Sequence, residues 1–213
     1  MPRMKVLNAV EQEAFESPPI FNSVQRKAYF DFPLALRQLA SSLHAPTHRI
    51  GFLLSSAYFK ATKKFFAPSD FCQRDIEYVA AQLSFSETRF DFADYGDRTR
   101  QRHQALILKF YGFRAFDHQM RHFLIEEIDR MVSSQLKPKL VLWRCVDALI
   151  REKIEVPSYF RLTELILSAT NRRKQDLATA IERTLSQDTR TLLDALLVQQ
   201  APIDGTAPGK TTA

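Results

Sequence analysis

The sequence is poor in the residues that most catalytic and cofactor-binding sites require. It has only 5 glycines in 213 residues, which argues against the glycine-rich loops of nucleotide-binding folds. Its two cysteines, Cys72 and Cys145, lie far apart in apolar segments, and neither has a second zinc ligand beside it. We therefore expect two reduced thiols, no disulfide, no metal site, no cofactor and no catalytic residues.

Long hydrophobic runs are also missing. No apolar stretch approaches the ~20 residues of a membrane-spanning helix, and the N-terminus lacks the apolar core of a signal peptide. These absences predict a cytoplasmic protein without a membrane partner.

The chain does contain a large apolar fraction and an excess of positive charge. Hydrophobic residues make up 45% of it and include 17 phenylalanines, which is enough to fill a packed core. Lysine and arginine number 30 against 24 acidic residues, which gives a formal charge of +6 and a pI near 9.4. This moderate excess is compatible with a nucleic acid or an acidic protein surface as the partner.

Apolar residues recur at helical spacing along nearly the whole chain, which predicts an all-α fold. Asn8 and Glu11 have the spacing of a capping box at the start of the first helix. Pro46 is predicted to end one helix, and Thr47 is predicted to cap the next, which is long and apolar. Gly112 is predicted to stop a later helix, because glycine is the usual residue at that position.

The segment Lys137-Pro138-Lys139 is the best candidate for a domain boundary. We predict two small helical lobes that both bind DNA, the first over residues 1–134 and the second over 140–199. A disordered tail is predicted over 200–213, where no apolar pattern remains. Trp143, in the second lobe, is predicted to lie in the core.

A dense basic cluster stands at the predicted start of a helix that runs to about Tyr111: Arg98, Arg100, Arg102 and His103. Cations in the first turn of a helix are opposed by the helix dipole, at a cost of about 0.3–1 kcal/mol each. A phosphate at the helix start would offset this cost, because it accepts hydrogen bonds from both backbone amides and guanidinium groups. The alternative is an ion-pair network with three acidic residues just upstream: Asp91, Asp94 and Asp97.

Further basic residues extend this surface or begin another. Arg114 and Arg121 follow the first cluster along the chain. Arg172, Arg173 and Lys174 interrupt an amphipathic helix with three consecutive cations, whose side chains point around the helix. They are predicted either to straddle a DNA backbone or to form a solvated run of charge.

A helix-turn-helix-like element is predicted at the start of the second lobe. A helix from Leu142 to Ile154, a turn at Glu155-Val156-Pro157 and a second helix from Tyr159 have the required order. Arg161, near the start of that second helix, is a candidate for contact with bases in a major groove. The arginine clusters would supply affinity without sequence discrimination.

Five motifs follow one another along the chain: Met1-Pro2-Arg3; Ala28-Tyr29-Phe30 with His48-Arg49-Ile50-Gly51-Phe52; Val79-Ala80-Ala81-Gln82-Leu83; the basic stretch from Tyr95 to Phe116; and Leu149 to Pro157 followed by Leu162 to Ile166. In this order they resemble the N-terminal region of replicative, cointegrate-forming transposases of the Tn-three type. The basic stretch has two residues fewer between its first arginine and its threonine than the family has. It matches the family at Tyr95, Arg98, Thr99, Arg100, His103, Ile107, Arg114 and Phe116.

In that family this region binds the terminal inverted repeats of the transposon, and an RNase H-like catalytic domain lies much further along the chain. The resemblance covers roughly residues 1–198. It implies sequence-specific binding of double-stranded DNA at transposon ends by a bacterial, nucleoid-associated protein, with other transposase subunits as further partners. Because the chain stops before such a catalytic domain, we expect a recognition fragment, or a truncated or stand-alone relative, that is not an enzyme.

A different class of function stays open beside this one. A helical protein-interaction module would use the same basic patches to meet acidic protein surfaces or transposase subunits. Salt-sensitive retention on duplex DNA would distinguish the two hypotheses.

Overall fold

A computed structural model of the chain describes residues 5–85 and 90–199. These residues contain ten α-helices, a short 3₁₀-helix and no strand, which confirms the predicted all-α fold. The helices are α1 (Ala9–Glu16), α2 (Ser23–Tyr29), α3 (Leu34–Ser41), α4 (Pro46–Thr62), α5 (Gln73–Gln82), α6 (Asp97–Tyr111), α7 (His118–Ser133), α8 (Pro138–Arg151), α9 (Tyr159–Thr184) and α10 (Gln187–Gln199), with the 3₁₀-helix at Pro68–Asp70.

Two helices begin at capping boxes that start with asparagine. The predicted box of α1 is confirmed, because Oδ1 of Asn8 accepts from the Glu11 amide at 2.9 Å and Oε2 of Glu11 accepts from the Asn8 amide at 3.2 Å. Asn22 and Gln25 form a second box at the start of α2, a helix that is not among those predicted. No residue of α2 is buried, so this helix carries no apolar periodicity by which it could be recognised.

Proline begins two of the longer helices. The prediction that Pro46 ends a helix and Thr47 caps the next is wrong, because Pro46 is the first residue of α4 and Ala45 occupies the cap position. Helix α8 likewise begins at Pro138, earlier than the predicted start at Leu142. Proline suits a first helical turn because an amide hydrogen at that position would have no partner within the helix in any case.

The first hydrophobic cluster surrounds α4, whose residues 50–59 are all buried. Helices α2, α3, α5 and α6 pack against it. The carboxylate of Asp75 lies inside this cluster: Oδ1 accepts from Nε of Arg26 at 2.7 Å, and Oδ2 accepts from the Tyr58 hydroxyl at 2.9 Å. The buried carboxylate therefore ties α2 and α5 to α4.

The second hydrophobic cluster is built from α7, α8 and the first part of α9. The N-terminal segment of the chain packs on these helices through Val6, Leu7 and Phe15, which are all buried. The amide of Leu7 donates to the Tyr159 hydroxyl at 3.0 Å. The beginning of the chain is therefore part of a core whose other members come from its second half.

Trp143 is the main correction to the predicted core, because it is 42% exposed. The buried face of α8 follows positions 141, 142, 145, 148 and 149, and position 143 lies beside that face. The indole and the Phe15 ring lie edge to face at a centroid distance of 5.9 Å. Both cysteines are free thiols; Cys145 is buried, as predicted, whereas Cys72 is only partly buried.

Backbone hydrogen bonds from the segment after α8 join the two clusters. The Arg114 amide donates to the Lys153 carbonyl at 2.8 Å, and the Glu155 amide donates to the Arg114 carbonyl at 3.0 Å. The Val156 amide donates to the Lys63 carbonyl at 2.9 Å. The ends of α4 and α6, in the first cluster, are thereby linked to the chain that leads into α9.

The chain divides into two compact units, Met1–Thr170 and Asn171–Ala213, and the division falls within α9. Both hydrophobic clusters belong to the first unit. The two predicted lobes, 1–134 and 140–199, stay a prediction. The predicted disordered tail, 200–213, lies outside the described residues.

Candidate nucleic-acid interface

The start of α6 is fixed by Tyr95, which precedes the helix and is 2% exposed. The Tyr95 ring lies against α4 at Gly51, where a Cβ atom would come within 2.6 Å of the ring carbons. The Tyr95 hydroxyl lies 3.0 Å from Nδ1 of His103, in the second turn of α6. Tyr95 therefore contacts both Gly51 and His103. Glycine at position 51 leaves the space that the Tyr95 ring fills.

His103 is 2% exposed, so it has no free surface with which to contact DNA, and the prediction of such a contact is corrected. Its ring packs edge-on against Phe52 at a centroid distance of 5.4 Å. Burial, with smaller contributions from His48 and Arg102, lowers the pKa of His103 to about 4. At neutral pH the imidazole is therefore uncharged, and it positions Tyr95 against α6.

We expect acidification to destabilise the protein through His103. Its pKa in the folded chain is about 4, below the ordinary value of 6.5, so the unfolded chain binds more protons between these two values. Stability from this residue is present above about pH 6.5 and is lost as the pH falls toward 4, on the order of 1–2 kcal/mol between pH 7 and 5. Urea unfolding at both pH values measures the loss.

The matched variants for this prediction are His103→Gln and His44→Gln. The first removes the buried titrating group, so its unfolding free energy should fall less between pH 7 and 5 than that of the wild type. His44 is exposed, and its replacement should leave the wild-type pH dependence intact. Equal pH dependence in all three proteins would contradict the assignment.

The acidic residues upstream of α6 have different partners. Asp97 pairs with Arg100 at 2.9 Å, so the predicted ion-pair alternative is realised for this one arginine. Asp94 lies 3.4 Å from Nε2 of His48, and Oδ1 of Asp91 accepts from the Ala93 amide at 2.9 Å. The described part of the chain contains no group of three or more side chains that could hold a metal ion.

Arg98 and Arg102 form an exposed pair on one face of α6. Within residues 5–85 and 90–196, neither has a carboxylate oxygen within 4.0 Å. Ala105 and Lys109 continue the same exposed face at helical spacing, which places the charges ~6 Å and then ~10 Å apart along the axis. We call Arg98, Arg102 and Lys109 the α6 basic stripe.

Helix α6 is bounded by glycine at both ends. Gly96 occupies the cap position of α6 and contributes no side-chain hydrogen bond to the free amides of the first turn. Gly112 ends the helix with a φ of 70°, as predicted. Lys109 was not identified from the sequence, although its spacing of seven residues from Arg102 is the signal that places both on one face.

The structure brings Arg121 and Arg161 to one cavity of about 320 Å³, which Asp117 and Glu164 also line. These residues come from the start of α7 and the start of α9. Arg114 is not among the cavity's lining residues; its backbone bonds to the segment after α8, and its side chain is exposed. The two arginines of the cavity therefore lie near acidic groups, although neither forms an ion pair within 4.0 Å in the described residues.

The connection between α8 and α9 differs from the predicted helix-turn-helix. Helix α8 ends at Arg151 and α9 begins at Tyr159, so residues 152–158 form a longer connection than the predicted turn at 155–157. Glu155, within it, accepts from the Phe116 amide at 3.0 Å, and burial raises the pKa of its carboxyl group. Residues 155–157, which were predicted to form only a turn, are thus packed in the core.

The remaining predicted residues, Arg172, Arg173 and Lys174, are exposed on α9 in the second unit. All three lie within the regular helix, so their side chains point in different directions around its axis.

The chain belongs to a family described as a domain of unknown function, DUF4158, whose sequence pattern matches residues 6–169. No curated protein matches the chain. No helix among the described residues is long and apolar enough to cross a membrane.

Proposed function

We propose that this chain is a module that binds double-stranded DNA at the ends of a transposon. One observation carries the proposal: Arg98 and Arg102 stand together on an exposed helix face without an acidic partner in the described residues. The resemblance to Tn-three-type transposases supports it. The family match over residues 6–169 spans every motif of that resemblance except the opening Met1-Pro2-Arg3.

The α6 basic stripe would act on the phosphate backbone. Guanidinium groups form paired hydrogen bonds with phosphate oxygens, and each phosphate that is neutralised releases counterions from the DNA. Gly51, Tyr95 and His103 would contribute indirectly, because they hold the start of α6 in place. In this proposal some residues of the basic stretch contact DNA, and others hold α6 in position.

Base recognition would fall to another part of the chain. Ser158, Phe160 and Arg161 are exposed around the start of α9, and Phe160 is 71% exposed. Side chains at the start of a helix reach base edges when the helix lies in a major groove. An apolar ring beside an arginine can contact a thymine methyl group while the guanidinium binds a guanine.

The double variant Arg98→Glu/Arg102→Glu tests the proposal. We expect at least a tenfold loss of affinity for any duplex, because two phosphate contacts become repulsive. The slope of log K against log salt should become shallower by about 2, since each phosphate contact contributes ~0.9. Fluorescence anisotropy across a salt series, with an inverted-repeat duplex and a scrambled duplex, measures both quantities.

A matched control is the variant Arg74→Glu/Arg144→Glu, which makes the same change in net charge at exposed positions on α5 and α8. It should retain most of the wild-type affinity. Equal affinity losses in the two double variants would show that only the net charge matters, and would contradict the claim that the α6 basic stripe contacts DNA. Wild-type binding that prefers the inverted repeat supports end recognition, and absence of binding at low salt contradicts the proposal.

One observation favours the alternative of a protein partner for the second unit. Five of its large apolar side chains are more than 40% exposed: Leu177, Ile181, Leu192, Leu193 and Leu196. Large apolar groups left exposed on helices are found on surfaces that another protein covers. Sedimentation of the wild type and of Ile181→Lys/Leu192→Lys, over a range of concentrations, tests for self-association through this unit.

A further inference from the structure

Lys64 is a buried cation just after α4. Its side chain is 7% exposed and packs among aromatic rings. Nζ lies 3.6 Å from the centroid of the Phe15 ring and 5.5 Å from that of Phe66. The ammonium group donates to the carbonyl of Phe15, near the end of α1, where helix carbonyls lack partners.

The charge of Lys64 has no carboxylate partner in the described part of the chain. The charge of Glu16 acts on it from a distance, because no oxygen of Glu16 lies within 4.0 Å of Nζ. Burial lowers the pKa of Lys64 to about 8, so the ammonium form still predominates at pH 7. An ammonium group has three donors, and the Phe15 carbonyl satisfies one of them.

Lys64 is one of the residues that line a cavity of about 220 Å³. Its lining is apolar and includes Phe15, Phe66, Trp143, Val146 and Val156. Pockets for drug-sized ligands measure roughly 300–1,000 Å³, so this one fits only a single ring or a short branched chain. Trp143 is partly exposed and lines the cavity, so its indole can cover a bound ligand.

We propose that this cavity binds a small organic monocarboxylate. The carboxylate accepts hydrogen bonds from the free donors of Lys64, and the apolar body of the ligand packs against Phe66 and Trp143. The ligand completes an ion pair that the chain itself leaves open, which accounts for a charge placed beside an apolar space. This site is independent of the α6 basic stripe and of DNA binding.

Trp143 is the only tryptophan of the chain, so its fluorescence reports on the cavity directly. Three probes of nearly equal size separate charge from shape: benzoate, benzamide and benzylamine. Benzoate should change the emission saturably and bind at least tenfold more tightly than benzamide, and benzylamine should not bind. Equal affinities for benzoate and benzamide, or no saturable change with benzoate, would overturn the proposal.

Two variants assign the effect to this site. Lys64→Met should lower the affinity for benzoate at least tenfold and leave that for benzamide unchanged, whereas Lys137→Met, at an exposed position, should change neither. If Lys64→Met does not fold by circular dichroism, Ala14→Leu serves instead, because Ala14 is exposed on α1 and lines the cavity. The larger side chain should block both benzoate and benzamide, and unaltered benzoate binding would overturn the proposal.

Discussion

Replacing Asp75 with alanine is expected to lower the free energy of unfolding by about 3–5 kcal/mol. The Asp75 side chain is fully buried and receives hydrogen bonds from Nε of Arg26 at 2.7 Å and from the Tyr58 hydroxyl at 2.9 Å. Its removal leaves the guanidinium group, which is 16% exposed, without a counter-charge inside the first cluster. The loss is large because desolvation of Arg26 is then no longer offset by its ion pair.

Urea unfolding followed by circular dichroism measures this effect. Asp31→Ala is the matched control, because Asp31 lies 3.8 Å from Arg37 and its side chain is 80% exposed. We expect the control to stay within about 0.5 kcal/mol of the wild type, as exposed ion pairs contribute little. An Asp75→Ala protein within 1 kcal/mol of the control would refute the assigned role of the buried pair.

The variant Gly51→Ala is expected to cost about 2–3 kcal/mol, although alanine is the better helix former. The added Cβ would lie 2.6 Å from two carbons of the Tyr95 ring. That ring is buried, packs against Phe90 at a centroid distance of 5.6 Å, and is hydrogen-bonded to His103. Either the ring or α4 must therefore shift, and the shift weakens the attachment of α6.

The control for this prediction is Gly96→Ala, because the nearest atom to a Cβ at that position is 3.9 Å away. It should change stability little. The double variant Gly51→Ala/Tyr95→Leu should lose less than the sum of its two single variants, since the smaller side chain relieves the contact. Additive losses would show that the ring is not what limits the size of residue 51.

Helices are predicted best from the sequence where apolar residues recur at helical spacing or where a specific capping residue marks an end of the helix. The capping box at Asn8 and the stop at Gly112 were correct because each depends on local backbone chemistry. Helix α2 was missed because it has a cap and no buried face. Trp143 was misassigned because residue type suggested the core, whereas its position on α8 places it beside the buried face.

The candidate site shows a different limit of prediction. Arg98, Arg102 and His103 belong to one motif. Residue type alone does not predict which of these side chains are exposed to solvent and which are buried in the core. The His103 ring is buried against Tyr95, which is near in sequence, and against Phe52, which comes from a distant part of the chain. Lys109 extends the basic face at a spacing of seven residues from Arg102, which the sequence contains, but only the folded helix shows that this face is exposed.

The packing of the N-terminal segment has a consequence for the order in which the chain is assembled during synthesis. Leu7 bonds to Tyr159, 152 residues further along. Val6 and Phe15 pack on helices that leave the ribosome after the whole of the first cluster has done so. These residues are synthesised before the helices they pack on, so they reach their final positions only after those helices have been made.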